Sequence, residues 1–303
     1  MMKIIILFLF IVLLYSCQSN QTESKPIVQT SKQNLPPIPK SIVLFGEKIS
    51  LEDEDIRERL DREIMANAYF HSQTILNMKR SARYFPVIEA ILKQQSIPND
   101  FKYLPIIESN LANVTSPAGA KGYWQFMPDT GREFSLIIDD EVDERYNLEK
   151  STAAACRYLK NAKDSVGSWM LATAAYNRGI RGLKSDMVWQ EATHYFDMDM
   201  NSETARYVLR LIAVKLIMEN PEKYGFDPKT IELYKPFSSE RVSVAIPIEN
   251  LAQWAKVKGI NYKILVKLNP WILTNKLTKN MGALEISLPA KHVNLKPYAA
   301  YSN

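Results

Sequence analysis

Two cysteines and three histidines are all that the 303 residues hold of the side chains that build disulfide frameworks and most transition-metal sites. The cysteines are Cys17 and Cys156. Cys17 closes an apolar leader, so no disulfide framework is available and a packed apolar core must hold the fold. Cys156 follows Ala153, Ala154 and Ala155 in a helix-like stretch and reads as a small core residue. His71, His194 and His292 lack the close spacing of metal ligands, and no Cys or Asp cluster completes a set, so neither a metal nor any other cofactor is expected. Long apolar runs are equally scarce. The run from Ile4 to Leu14 falls short of the roughly 20 residues a membrane-spanning helix needs. The formal net charge is a modest +5 and the positive charge is not gathered into blocks, which argues against a nucleic-acid footprint.

What is present begins with Leu14-Tyr15-Ser16-Cys17, which resembles the lipobox read by bacterial signal peptidases before the cysteine is acylated. Lipid attachment at Cys17 would tether a water-exposed body to a membrane, since each buried CH₂ contributes roughly 0.8 kcal/mol. The position after Cys17 is Gln18, not the aspartate that keeps enterobacterial lipoproteins in the inner membrane, which points to the outer membrane. Residues 18–48, rich in Ser, Gln, Lys and Pro and including Pro36-Pro37-Ile38-Pro39, read as a flexible tether with a stiff proline segment. Ser50 and Asp53 resemble a capping box ahead of Ile56, Leu60, Ile64 and Ala68, and a second helical pattern carries Tyr84, Val87, Ile88, Ile91 and Leu92. Together these make a helical lead over 49–95. Asp100 is placed to cap the next turn. From 96 to 236 the pattern stays helical, with Ala-rich stretches and loops marked by Gly119, Gly122 and Gly131. Over 241–290 it changes to strand, helix, helix, strand. The predicted fold class is mainly α: an all-α body followed by a small α+β module.

The chemistry concentrates in Tyr103-Leu104-Pro105-Ile106-Ile107-Glu108-Ser109. An apolar turn around a glutamate disfavours its charged form and raises its pKa toward the range useful to a general acid. Alone, this is a weak signal, equally that of a capping or surface glutamate. Three further blocks follow in order: Ser116-Pro117-Ala118-Gly119-Ala120-Lys121-Gly122-Tyr123-Trp124-Gln125-Phe126-Met127-Pro128, Ala174-Ala175-Tyr176-Asn177-Arg178-Gly179, and Glu203-Thr204-Ala205-Arg206-Tyr207-Val208. The four blocks resemble the lytic transglycosylases related to goose-type lysozyme, and among these the membrane-bound lytic murein transglycosylase D group, over roughly residues 80 to 225. The resemblance implies a lysozyme-like all-α catalytic domain acting on peptidoglycan strands, with Glu108 as the catalytic residue. It further implies a substrate cleft lined by Gln125, Met127, Tyr176 and Asn177, Tyr207 hydrogen-bonded near the Glu108 carboxyl, and Ser116 facing the N-acetyl group of the cleaved sugar. The stretch from Glu108 to Ser116 is one residue shorter than the family pattern, which bears on the placement of Ser116. Trp124 and Phe126 read as core, and Ser109 as a helix cap.

Ordinary glycosidases flank the scissile bond with two carboxyl groups, whereas an N-acetylated sugar can supply the second group itself. On that reading one glutamate suffices and a 1,6-anhydro end results. The acidic run Asp139, Asp140, Glu141, Asp143 and Glu144 reads as a solvated loop with ion pairs. Two alternatives stay open at this level: a hydrolytic muramidase in which that run orders a water, and an inactive scaffold that binds the wall. Residues 241–289 resemble a LysM domain, with Leu268-Asn269-Pro270 and the closing strand Leu284 to Pro289 matching the pattern, while Ile246-Pro247-Ile248 replaces the usual Gly-Asp-Thr turn and no Pro-Gly precedes the last strand. The resemblance implies a degenerate glycan-binding module. The expected partners are peptidoglycan strands and, through the lipid, a membrane; no nucleic acid is expected, and the chain is expected to be monomeric.

Overall fold

The computed structural model describes residues 35–245, 247–279 and 282–290. The leader, Cys17 and most of the expected tether lie outside the described residues, as does Ile246 in the expected LysM turn. No helix among the described residues is long and apolar enough to cross a membrane.

Residues 41–48, expected as the end of a tether, are ordered in strands instead. Strands β1 (Ser41–Leu44) and β2 (Glu47–Ser50) pair antiparallel, and Ile42, Leu44 and Ile49 enter the core. Their two-residue loop, Phe45 and Gly46, has positive φ at both positions, the geometry that matches strand twist in a tight hairpin. Asp100 is what locks this turn. Instead of capping a helix it accepts Phe45 N at 2.6 Å and pairs with Lys215 Nζ at 2.7 Å, while the Phe45 ring stacks on Phe101 at 4.5 Å. Ser50 consequently belongs to β2, and Asp53 caps α1 (Glu54–Tyr69) through Ile56 N at 3.0 Å, with Glu54 and Asp55 favourably placed in the first turn.

Helix α2 (His71–Gln94) follows after one residue, and the short α3 (Leu104–Ser109) and α4 (Pro128–Glu133) come before α5 (Leu148–Val166), α6 (Trp169–Arg178), α7 (Ile180–Trp189) and α8 (Ser202–Glu219). Helix α8 is apolar on nearly every side. Val208, Leu209, Leu211, Ile212 and Ala213 are fully buried because α1, α6 and α3 pack around it. The alanines of α5 and α6 allow those helices to approach closely, and Cys156 is buried between them with its thiol pushed up to about 12 by desolvation. The body is lysozyme-like and all-α apart from the leading hairpin.

In the C-terminal segment β3 (Ser239–Val244) pairs antiparallel with β4 (Leu284–Pro289), and α9 (Leu251–Val257) and α10 (Tyr262–Leu268) lie between them in sequence. The asparagine of Leu268-Asn269-Pro270 is fully buried. It donates to Leu265 O and Ser287 O and accepts Ser287 N, all at 2.7–2.8 Å, so it ties the end of α10 to β4.

This segment has its own apolar cluster, and one contributor comes from the helical body: Val142, fully buried, packs with Leu251, Leu265, Trp271 and Ile286. Around it the 139–145 loop is knitted to the module. Leu273 N donates to Glu141 O at 2.9 Å, Asp143 N to Trp271 O at 2.9 Å, and the Glu141 carboxylate accepts Thr278 N, Thr278 Oγ1 and Lys279 N. The expectation of a solvated acidic loop is therefore corrected. Glu141, Asp143 and Glu144 are each buried, because the loop is the joint on which the module sits. Burial alone would push the Asp143 carboxyl up, but paired hydrogen bonds from Arg145 and the charges of Arg145 and Lys121 hold it below its ordinary value.

Truncating Val142 to alanine leaves a hole in the module's core from the other side of the joint. Val142→Ala should lower unfolding free energy by about 2 kcal/mol, read from urea unfolding at equilibrium; an unchanged midpoint would show that the module does not lean on this side chain.

Candidate functional site

Helix α3 is short because its end is forced. Asn110 and Leu111 both take left-handed φ, with Asn110 N bonding back to Ile106 O and Leu111 N to Pro105 O. Helix α2 holds that turn: Arg80 donates to Asn110 O at 2.9 Å and Asn77 to Asn110 Oδ1 at 3.3 Å. Glu108 thus sits in the last turn with its neighbours Ile107 and Ser109 buried and its own side chain only partly exposed.

Three groups grip this turn. Tyr207 of α8 donates its hydroxyl to Glu108 Oε1. Arg210, one turn along the same face of α8, donates to Ile107 O at 2.8 Å. Ser109 donates to Pro105 O and to Tyr123 O at 2.8 Å, so the residue expected as a cap instead clamps the Gly122–Gln125 segment to α3. Desolvation dominates the charge balance at Glu108 and pushes its pKa up to about 7, with the nearby Glu203 charge adding to the rise; the Tyr207 hydrogen bond and the Arg210 charge oppose it. Glu108 Oε2 accepts no hydrogen bond among the described residues and is the oxygen left to hold a proton.

Gly122 is fixed by contact as well as conformation. Its φ is +82°, and a Cβ there would stand 1.8 Å from Arg145 O. Its amide bonds Val114 O at 2.9 Å, and Arg145 reaches over to Phe126 O and Gly119 O. The loop is thereby held open in one shape. Gln125, also left-handed, spends its amide N–H groups on Gly122 O at 2.7 Å and Val114 O at 3.2 Å, leaving Oε1 as its outward acceptor. Trp124 and Phe126 point into the core. Met127, 44% exposed, stands just before α4 with little over it.

The α6 block delivers two residues. Tyr176 donates to Trp124 O at 2.8 Å and packs edge-on to Tyr158; the Glu108 charge, after burial, raises its pKa well above the ordinary value, which places the two groups in electrostatic reach. Asn177 is held by the start of α8, donating to Glu203 Oε1 and accepting from Thr204 Oγ1, both at 2.8 Å. Ser116 is the outlier. Its Oγ accepts Ala120 N at 3.0 Å within the 116–120 turn, so one lone pair serves the loop while its hydroxyl hydrogen and second lone pair are left.

Of the residues singled out in the sequence, Glu108, Tyr207 and Tyr176 are brought into one electrostatic cluster, with Gln125 and Asn177 on the elements that frame it. Ser116 and Met127 make no hydrogen bond to the cluster. Arg210, Glu203 and Ser109 were missed as contributors. Both Arg210 and Glu203 were readable by position, three residues after and four residues before Tyr207 on one helix face, but the direction in which each moves the Glu108 pKa was not. Among the described residues no three His, Cys, Asp or Glu side chains gather as a metal site.

Residues 85–194 match the family described as the transglycosylase SLT domain, and residues 240–292 match the soluble lytic transglycosylase C-terminal LysM-like domain. The chain is 28% identical over 249 residues to the membrane-bound lytic murein transglycosylase D of Escherichia coli strain K12, covering 80% of this chain and 53% of that protein. A putative tributyltin chloride resistance protein of an Alteromonas species is 29% identical over 113 residues, 37% of this chain and 55% of that protein. The chain spans about half the length of the curated relatives it matches. It carries an SLT transglycosylase domain followed by a LysM-like domain.

A glutamate whose folded pKa lies above its unfolded value binds its proton more tightly in the native state, so stability falls as pH rises from the unfolded value of 4.5 to about 7. Glu108→Gln removes that penalty. The variant should gain stability over wild type between pH 4.5 and 7, reaching at most roughly 3 kcal/mol and staying level above, as read by thermal melts across pH. A gain that is the same at pH 4 and pH 8 would refute the raised pKa.

Proposed function

We propose that this protein is a lytic transglycosylase that cleaves the β-1,4 bond between N-acetylmuramic acid and N-acetylglucosamine in peptidoglycan, leaving 1,6-anhydro-N-acetylmuramic acid ends. The observation that carries the reading is a desolvated carboxyl whose pKa burial pushes up to about 7, with one oxygen accepting from Tyr207 and the other accepting no hydrogen bond among the described residues.

In this mechanism Glu108 donates its proton to the bridging oxygen as the glycosidic bond breaks. The 2-acetamido carbonyl of the muramic acid residue stabilises the oxocarbenium-like carbon, which supplies the second group that ordinary glycosidases take from a second carboxylate. The Glu108 carboxylate then takes the proton of that sugar's 6-hydroxyl, whose oxygen bonds to C1 and closes the anhydro ring. Protons balance and no water is consumed. The Tyr207 hydroxyl and Arg210 charge favour the carboxylate that forms midway, while burial and Glu203 favour the acid needed at the start, and the balance leaves a group able to do both. Gln125, Met127, Tyr176 and Asn177 line the cleft in this reading. Ser116 faces the N-acetyl group in this reading.

The partners of the acidic run speak against the hydrolytic alternative. Glu141 is bound by Thr278 and Lys279, Asp143 by Arg145, Glu144 by Ile137 N, Asp139 by the amides of Glu141 and Val142, and Asp140 by Lys279, so each carboxylate of that run already has a structural partner. Acylation at Cys17 would hold the protein, as a monomer, in the cell envelope on the periplasmic side of the outer membrane, where it would act in wall remodelling or turnover.

Mass spectrometry of muropeptides released from purified peptidoglycan tests the reading. The products should be lighter by one water than reducing-end fragments, and Glu108→Gln should slow their release by about 10²- to 10⁴-fold. The rate should fall on the alkaline side with a midpoint near the Glu108 pKa of about 7. Reducing ends would establish the muramidase instead, and no release from wild type would favour a binding scaffold.

A further inference from the structure

Arg83, Phe237 and Lys267 have no part in the proposed chemistry, yet the fold gathers them. A cavity of about 140 Å³ lies where α2, residues 146–149 and the C-terminal module meet, and its wall includes the rings of Tyr84, Tyr123, Phe237 and Trp271. The Arg83 guanidinium lies 4.3 Å from the centre of the Phe237 ring and Lys267 Nζ 5.1 Å from it, so one ring, 39% exposed, is flanked by two cations. Neither cation has a carboxylate partner among the described residues. Arg83 Nε donates to Lys235 O at 2.9 Å, and its remaining N–H groups and the Lys267 ammonium carry no counter-charge. The single acid lining the cavity, Glu149, is taken by Arg241 at 2.7 Å. Two unneutralised cations beside aromatic faces attract a carboxylate borne on an apolar or ring-shaped group. Tyr123 connects this cavity to the site, for its carbonyl accepts the Ser109 hydroxyl beside Glu108.

We propose that this junction binds a carboxylate carried by the muramic acid residues of the glycan strand, on the lactyl ether or on the peptide stem. The identity of the strand rests on the lytic transglycosylase reading; the preference for a carboxylate rests on the junction itself. A strand held there spans the helical body and the module at once, giving the module a share in substrate binding that does not use the turn where its LysM pattern is degenerate.

The test uses Glu108→Gln protein, which keeps strands intact, and titration calorimetry with three soluble ligands: peptide-bearing strands, amidase-stripped strands carrying only lactyl carboxylates, and uncharged chitin oligomers. Adding Arg83→Gln and Lys267→Gln together should weaken binding of at least one carboxylate-bearing strand by about tenfold while leaving chitin oligomers unchanged. The strand that responds names the carboxylate. Because Arg83 also packs on rings, Lys267→Gln alone, at an exposed position, should give a smaller loss of the same selectivity. Equal affinities throughout, or an equal loss on all three ligands, would overturn the proposal. Turnover by the wild-type chain is scored separately: no anhydro product with the carboxylate preference intact would remove the catalytic reading and leave the junction site standing.

Discussion

The last turn of α3 presents a carboxyl at neutral pH only because α8 holds it twice, by Tyr207 on the Glu108 side chain and by Arg210 on the Ile107 carbonyl. Without that hold, a six-residue helix ending in two left-handed residues would have little stability of its own, since isolated helices of that length are marginal. The grip is also electrical. The same two groups limit how far burial can raise the carboxyl's pKa, so the position of the turn and the acidity of its glutamate are set by one contact. Much of the surrounding order serves it. Helix α8 is rigid because its other faces are sealed by α1 and α6, and its first turn is capped by Asn201, which accepts from Glu203 N and Thr204 N while Glu203 and Thr204 hold Asn177.

A second constraint radiates from Arg145. Its guanidinium pairs with Asp143, both nearly fully buried, and reaches the carbonyls of Gly119 and Phe126, while its own carbonyl leaves no room for a side chain at Gly122. Removing one member of such a buried pair would strand an uncompensated charge, which is why the loop admits few alternatives. The neighbouring residues of the same loop, Glu141 and Val142, run into the C-terminal module. One acidic loop therefore shapes the segment bearing Gln125 on one side and docks the module on the other. The loop bearing Gln125 and the module are coupled through a few buried residues.

Much of the fold and of the candidate site's composition was legible in the sequence. The helical periods of α1, α2 and α8, the module's strand-helix-helix-strand order and the short blocks around Glu108, Gln125, Asn177 and Tyr207 are local patterns, and local patterns can be read along a chain. The β1–β2 hairpin was not, because four-residue strands with one or two inward positions are too short to show an alternating period, and their stability comes from Asp100 and Phe101 more than fifty residues away. The acidic run misled for a related reason: five acids in six residues read as solvated, and only the partners the fold brings to them, Thr278 and Lys279 for Glu141, Arg145 for Asp143 and the Ile137 amide for Glu144, make their burial tolerable.

The sequence by itself determined which residue types stand at the site and which helices carry them, since composition and period follow from covalent order. Only the tertiary structure decided the state of the glutamate, a weak acid instead of an ordinary carboxylate, because the burial that raises its pKa comes from packing and the Tyr207 hydroxyl that limits the rise comes from a residue 99 positions further along the chain. It alone also assigned the acidic loop to architecture and gathered Arg83, Phe237 and Lys267 around one cavity. Burial and charge balance are properties of what packs around a group, and that is not written next to it in the chain.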